Sequence, residues 1–139
     1  MFDSFAISAQ ALTSQRIRLN VIASNLANMN TTRTPEGTPY RRRDVVFSTY
    51  PFEEALRVAG RSTLTGVRVV DVVEDARPFR MVYDPSHPDA NDEGYVMYPN
   101  VNPLEEMVNM MTAVRSYEAN VSALKATKAM ISKALEIIT

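Results

Sequence analysis

The 139-residue chain has no cysteine. That excludes disulfides, a zinc ribbon and thiol chemistry. It has one histidine, His87, no glycine-rich phosphate loop and no G-x-S-x-G elbow, so catalysis has no candidate and no enzyme is expected. The formal net charge is -1, which gives no global pull toward nucleic acid or anionic lipid. No run of about 18 apolar residues exists, so nothing inserts in or spans a membrane as a helix. The first ten residues, MFDSFAISAQ, carry Asp3 and lack both a basic start and a long apolar stretch. They are not a cleavable secretory signal. The chain is therefore expected in the cytosol, or exported by a route that needs no such signal.

Proline and glycine are missing from both ends. All eight prolines and all four glycines fall between Pro35 and Pro103, and nine of the twelve arginines lie in the middle, from Arg33 to Arg80. The expected fold class is α+β: an N-terminal helix over 1–30, a β-rich middle over 31–102 with a mobile loop near 48–66, and a C-terminal helix over 103–139. Pro103 suits a first helical turn, and Glu105 and Glu106 suit the positive end of the helix dipole. A helix from Pro103 to Ile138 would be roughly 54 Å long. In the middle, Val45–Phe47, Gly66–Val73, Arg80–Tyr83 and Tyr95–Tyr98 read as short strands of one small sheet, with a turn at 35–37 and a loop at 84–94.

The two helices carry apolar stripes. Phe5, Leu12, Leu19 and Leu26 recur every seven residues, with Ile22 beside them. Met107, Met110, Val114, Tyr117, Val121, Leu124, Ile131, Leu135 and Ile138 follow a 3–4 spacing broken at Lys128. Together they predict a coiled-coil-like helical hairpin. The second helix has another stripe, about 150° away: Val108, Thr112, Ala119, Ala123, Ala126, Met130, Ala134 and Ile137. The first has a lesser one: Ile17, Val21, Ser24 and Asn28. A two-helix chain has no third helix to cover these, so they are expected to meet other subunits. Asn25 and Asn28 project away from the leucine stripe. They are expected to bond across subunits or to the chain after the helix rather than to lock the hairpin.

Other constellations are weaker. Arg41-Arg42-Arg43 is followed by Asp44 in a chain that is not otherwise basic. It reads as a charged strand face pairing with a neighbour rather than a nucleic-acid site. Asp84, His87, Asp89, Asp92 and Glu93 share a loop, but their spacing fits neither an EF-hand nor a zinc site. No metal or cofactor is expected.

One resemblance is specific. Ala23-Ser24-Asn25-Leu26-Ala27-Asn28 resembles the N-terminal motif of bacterial flagellar rod and hook proteins. Pro39-Tyr40-Arg41, Val45-Val46-Phe47, Tyr83-Asp84-Pro85-Ser86-His87-Pro88, Gly94-Tyr95-Val96, Pro99-Asn100-Val101-Asn102, Glu106-Met107-Val108-Asn109-Met110-Met111 and Arg115-Ser116-Tyr117-Glu118-Ala119-Asn120 follow in order and resemble the short proximal rod subunits of that family. Only 48–66 lacks a counterpart. Longer axial subunits with an inserted domain are the alternative within the family, and a cytosolic coiled-coil adaptor the alternative outside it. The resemblance implies a structural subunit of the basal-body rod. It would be exported through the flagellar type III apparatus and assembled in the periplasm, with its terminal helices lining a hollow shaft. Its partners would be itself and other rod proteins, with the basal-body base and export apparatus at the proximal end. The candidate assembly interface is Phe5, Leu12, Leu19, Ile22, Asn25, Leu26 and Asn28 on the first helix. On the second it is Met107, Met110, Met111, Val114, Tyr117, Asn120, Val121, Leu124, Ala126, Met130, Ile131, Leu135 and Ile138. The ends are expected to stay loose in the free monomer, because ordering costs about 1–2 kcal/mol per residue.

Overall fold

A computed structural model describes residues 2–49 and 66–139. The elements run α1 (Phe2–Ala27), β1 (Arg43–Thr49), β2 (Val67–Glu74), β3 (Arg80–Tyr83), β4 (Tyr95–Tyr98) and α2 (Pro103–Ile138). Two terminal helices flank small antiparallel strand pairs, which is the α+β class expected. Most of the loop predicted near 48–66 lies outside the described residues; Ser48 and Thr49 are the last residues of β1, opposite Arg68 and Val67.

The strands form two separate two-stranded ribbons rather than one sheet. In the first, Val45 faces Val72 and Phe47 faces Val69. The register slips between Val46 and Phe47, so Val70 has no opposite number. This bulge resolves the sequence VRVVDVVE, whose valines do not alternate strictly. The extra residue brings Val67, Val69 and Val72 back to one face. That face lies along α1: Val67 and Val69 line a groove of about 380 Å³ with Gln10, Ser14 and Ile17, and Ser14 Oγ donates to the Val67 carbonyl at 3.3 Å. The ribbon therefore covers the second face of α1. Ile17, Val21, Ser24 and Asn28 are half-buried, Ile17 along that groove and the two polar residues hydrogen-bonded within the chain. Ser24 meets the Tyr40 hydroxyl at 3.3 Å, and Asn28 Nδ2 donates to the Ser24 carbonyl at 2.8 Å.

In the second ribbon Val82 pairs with Val96 and Tyr83 with Tyr95. Val96 is fully buried. The turn back into β4 depends on Gly94, whose φ is +85°. A Cβ there would lie 2.8 Å from the Tyr83 ring and 3.2 Å from Pro85 Cβ. Gly94→Ala is expected to cost about 2 kcal/mol, combining left-handed backbone strain with displacement of the Tyr83 ring. The measurement is a urea melt; an unchanged midpoint would show that the turn relaxes freely.

α1 packs on α2 and on the first ribbon, and no other helix or strand pair among the described residues is in close contact apart from the partners within each ribbon. Among the described residues, Ile22, Tyr40, Val96 and Ala113 are the buried hydrophobic side chains, and they are outnumbered by Ser8, Ser14, Asn25, Arg42, Glu106 and Thr127. The described part of the chain has a polar centre and a greasy outside.

Candidate assembly interface and the polar lock beneath it

α2 starts where the sequence predicts. Asn102 is the N-cap, its side chain accepting from Leu104 N at 3.1 Å, and Pro103 opens the helix. These fixed starts place Glu106 on the side facing α1. Its side chain has no solvent exposure. The C-terminal end of α1 delivers Asn25, likewise at 0% exposure. Glu106 Oε2 accepts from Asn25 Nδ2 at 3.2 Å, and Oε1 accepts from Arg42 Nε in a short hydrogen bond.

Asn25 makes the full set of bonds open to a primary amide. Its Nδ2 also donates to the Arg43 carbonyl at 2.8 Å. Its Oδ1 accepts from the Tyr40 hydroxyl at 2.9 Å and from Arg43 N at 3.0 Å. The side chain thus pairs with the Arg43 backbone as a neighbouring strand would. Asn100 bridges backbone segments in the same way. Its Oδ1 accepts from Arg42 N at 2.8 Å while Nδ2 donates to the carbonyls of Asp75 and Arg77. Asn25 and Asn100 knit α1, the segment before β1, and the segments after β2 and β4 around one buried carboxylate. Contrary to the expectation from the leucine stripe, Asn25 does lock the hairpin. Leucine periodicity puts it off the stripe, but the 31–43 strap wraps that side of α1 and buries it. Its bond to the chain after the helix is as expected. Asn28 instead ends α1 and accepts from Thr31 Oγ1 at 3.2 Å.

Of the arginine triplet, Arg42 turns inward, while Arg43 stays exposed. Arg42 is buried, with Asp75 at 3.3 Å and Asp44 at 3.5 Å beyond Glu106. Burial works to lower its pKa, but the hydrogen bond and charge of Glu106 outweigh that and hold it above its ordinary value. Arg41 donates to the Asp75 carbonyl at 2.9 Å and lies 4.3 Å over the Phe79 ring. A salt bridge from Arg42 to a neighbouring subunit is therefore ruled out by its internal partners. Arg77 closes the cluster, pairing with Asp75 at 2.7 Å and Glu105 at 3.2 Å. The hydrogen bond from Arg77 holds the Asp75 carboxyl at about 2, well below its ordinary value. A depressed carboxyl stabilises the fold above its unfolded pKa, near 4, and loses that stabilisation as pH falls toward 2. Stability should thus be flat in this respect above pH 5 and drop by about 1–2 kcal/mol between pH 4 and 2, the half-exposed Arg77 reducing the full linkage value. Asp75→Asn should remove that part of the acid slope; an unaltered slope would assign it to other carboxylates.

The lock sets the register of the hairpin. With Asn25 level with Glu106, α1 and α2 run antiparallel. Met110, Tyr117, Leu124 and Ile131 are half-buried on the seam, as the stripe predicts. The other half of the seam lies one residue earlier than expected. It is Glu106, Ala113, Asn120, Thr127 and Ala134 rather than Met107, Val114, Val121, Lys128 and Leu135; Val121 stays half-buried at the margin, while Met107, Val114 and Leu135 are exposed. Small or self-satisfied residues at these positions let the helices approach. Asn120 and Thr127 return their side-chain donors to the carbonyls of Ser116 and Ala123 at 2.8 and 3.0 Å. The shift also removes the break at Lys128. On α1, Leu12, Leu19 and Leu26 are half-buried and Ile22 is buried, while Phe5 is exposed.

The faces left over are apolar. Opposite the seam, the first turns of α2 expose Leu104, Met107, Val108 and Met111. Farther along, Ala126, Met130, Leu135, Ile137 and Ile138 are exposed, Ile137 by 85%. The acidic loop, by contrast, is self-contained. Asp84 accepts from Ser86 Oγ at 2.7 Å, His87 Nδ1 accepts from Asp89 N at 3.0 Å, and Asp89 holds Thr32 and Arg33.

A helical hairpin clamped at one end by a small polar head, with its apolar surface facing outward, defines a structural assembly protein. Two family models match: "Flagella basal body rod protein" over residues 5–33 and "Flagellar basal body rod FlgEFG protein C-terminal" over residues 92–137. The chain is 50% identical to the flagellar basal-body rod protein FlgC of Bacillus subtilis, covering 98% of this chain and 97% of that one. It is 44% identical to FlgC of Escherichia coli O157:H7 and 39% to FlgC of Borreliella burgdorferi, each over 99% of this chain and 97% of the relative. The chain belongs to the FlgC family of flagellar basal-body rod proteins, a structural family and not an enzymatic one.

Proposed function

We propose that this chain is a structural subunit of the proximal rod of a flagellar basal body. It polymerises through α1 and α2, with copies of itself and other rod proteins, into the hollow shaft that carries torque and passes exported subunits. It works in the periplasm, reaches it through the flagellar type III apparatus, and meets the basal-body base at its proximal end. The observation that carries this reading is the inversion of the fold: few buried apolar side chains among the described residues, and a long helix exposing them along most of its length. A shaft under torque needs many lateral contacts per subunit, and two-faced helices provide them.

The polar lock refines the expectation of loose ends. It holds the helix ends nearest the head, while the distal turns have only the partial seam. Lone helices in water are marginal, so the distal turns wait for neighbours. Hydrogen exchange on the purified, unassembled chain tests this. Residues 18–30, 80–98 and 103–115 are expected to be protected, and 2–12 and 125–139 to exchange close to the free-peptide rate. Full protection of both helices in a small stable oligomer would overturn the reading in favour of a self-contained coiled-coil adaptor.

A further inference from the structure

The β3–β4 ribbon has an outer face that its surroundings do not explain. Register and alternation put Met81, Tyr83, Tyr95 and Met97 together on one side, and Val82 and Val96 on the other. An antiparallel ribbon with one wet face normally turns polar residues outward. Here the outward residues are two methionines and two tyrosines, 55%, 64%, 39% and 42% exposed in chain order. Tyr83 and Tyr95 meet edge to face with centroids 5.3 Å apart. No helix or strand among the described residues packs on this face. Beside it lies a groove of about 280 Å³ lined in part by Tyr95, Met97, Pro39 and Pro88. Four such side chains expose a patch on the order of a few hundred Å², the size at which a monomer's largest patch is commonly functional. Met and Tyr are the residue types enriched in interface centres.

The rim is acidic on the loop side. Asp84, Asp92 and Glu93 border the ribbon there, and no lysine or arginine occurs from 84 to 106; Asp89 is paired with Arg33 at 3.4 Å, and Arg80, at the start of β3, lies over the Tyr98 ring. The complementary surface is the far end of α2. Met130, Leu135, Ile137 and Ile138 are exposed there, and Lys125, Lys128 and Lys133 outnumber Glu136. α2 has 36 residues against 26 for α1, so with Asn25 level with Glu106 the last turns project beyond the start of α1. These two surfaces cannot meet within one chain. Met97 lies six residues before Pro103, whereas Ile137 sits near the other end of a helix roughly 54 Å long.

We infer that the Met81–Tyr83–Tyr95–Met97 face is a docking site for the lysine-bearing end of α2 from a second copy of this chain. Such a head-to-tail contact is heterologous, the kind that extends a helical filament when its rotation does not close a ring. It rests on the assembly reading above and assigns that reading one specific contact.

The absence of native cysteine makes the test clean. Met97→Cys and Ile137→Cys are introduced singly into the full chain, and the two variants are produced together in cells building flagella. After mild oxidation, a cross-linked dimer is expected in purified basal bodies only when both variants are present. Reversing Lys128 and Lys133 to glutamate should reduce its yield at least tenfold. Both variants entering rods without a cross-link would overturn the contact and leave the assembly reading standing. Capture of M97C by a different rod protein would also overturn it, by naming another occupant. Variants that fold but never enter rods would count against the assembly reading itself. In the unsubstituted chain, the methyl NMR signals of Met81, Met97 and Met130 should shift together as concentration rises. Shifts of Met130 alone, or none, would overturn the proposal even if the cysteine variants misfold.

Discussion

Glu106→Ala is expected to destabilise the chain by about 3–5 kcal/mol, because it removes one partner of a buried ion pair and strands the other. Arg42, with a 7% exposed side chain, would keep only Asp75 at 3.3 Å and Asp44 at 3.5 Å. Asn25 would lose one of its four bonds. Against a typical total stability of about 5–15 kcal/mol, this is a large fraction. The measurement is equilibrium urea unfolding of the single variants and of Arg42→Met combined with Glu106→Leu. The double variant should cost less than either single one, since it leaves no unpaired charge in the centre. A loss below about 1 kcal/mol for Glu106→Ala would mean that the head is held by its ribbons and not by the lock. Glu106→Gln should fall between wild type and alanine: it keeps an amide oxygen for one donor but drops the charge that holds Arg42.

The second large effect separates assembly from stability. Leu104→Glu with Met111→Glu alters two side chains that are 74% and 57% exposed in the free chain. Surface changes of this kind move stability by no more than about 0.5 kcal/mol each. At a subunit contact, each such side chain is worth about 1.5–3 kcal/mol of burial. Losing both should weaken association by roughly 10²–10⁴-fold. The variant should therefore melt like wild type, be present in cells and be missing from basal bodies, with swimming abolished. Normal rods containing the double variant would show that this face of α2 stays in solvent and that assembly uses other surfaces. The contrast with Glu106→Ala is diagnostic, since that substitution should lower the melting midpoint of the free chain as well.

The fold is largely legible in the sequence for definite reasons. Proline and glycine confined to the middle leave two uninterrupted helices, and Pro103 with two glutamates marks the start of α2. The four β-branched or aromatic runs become the four strands. Two features are not legible. The bulge opposite Val46–Phe47 leaves only the break in valine alternation at Val69–Val70 as a local trace, and that break does not by itself give the pairing register. The seam register differs by one residue on half its positions, since periodicity favours the larger apolar residue at each step. Close helix approach favours Ala113, Asn120 and Thr127. The one local signal is the break at Lys128, which a one-residue shift removes.

By itself, the sequence determined the family, the helix–β–helix order and the excess of apolar helix surface over anything the chain could cover. These follow from composition, motif order and hydrophobic spacing, all of which are local. Tertiary structure alone decided which polar residues go inside. Asn25, Arg42 and Glu106 lie 17 and 64 residues apart along the chain, and each resembles an ordinary surface residue in its own segment. Only when the strap after α1 folds back over the start of α2 do they lose water together. At that point an unpaired charge or amide would be costly to bury, so they must satisfy one another. That requirement sets the register of the hairpin and determines which apolar faces are left for neighbours.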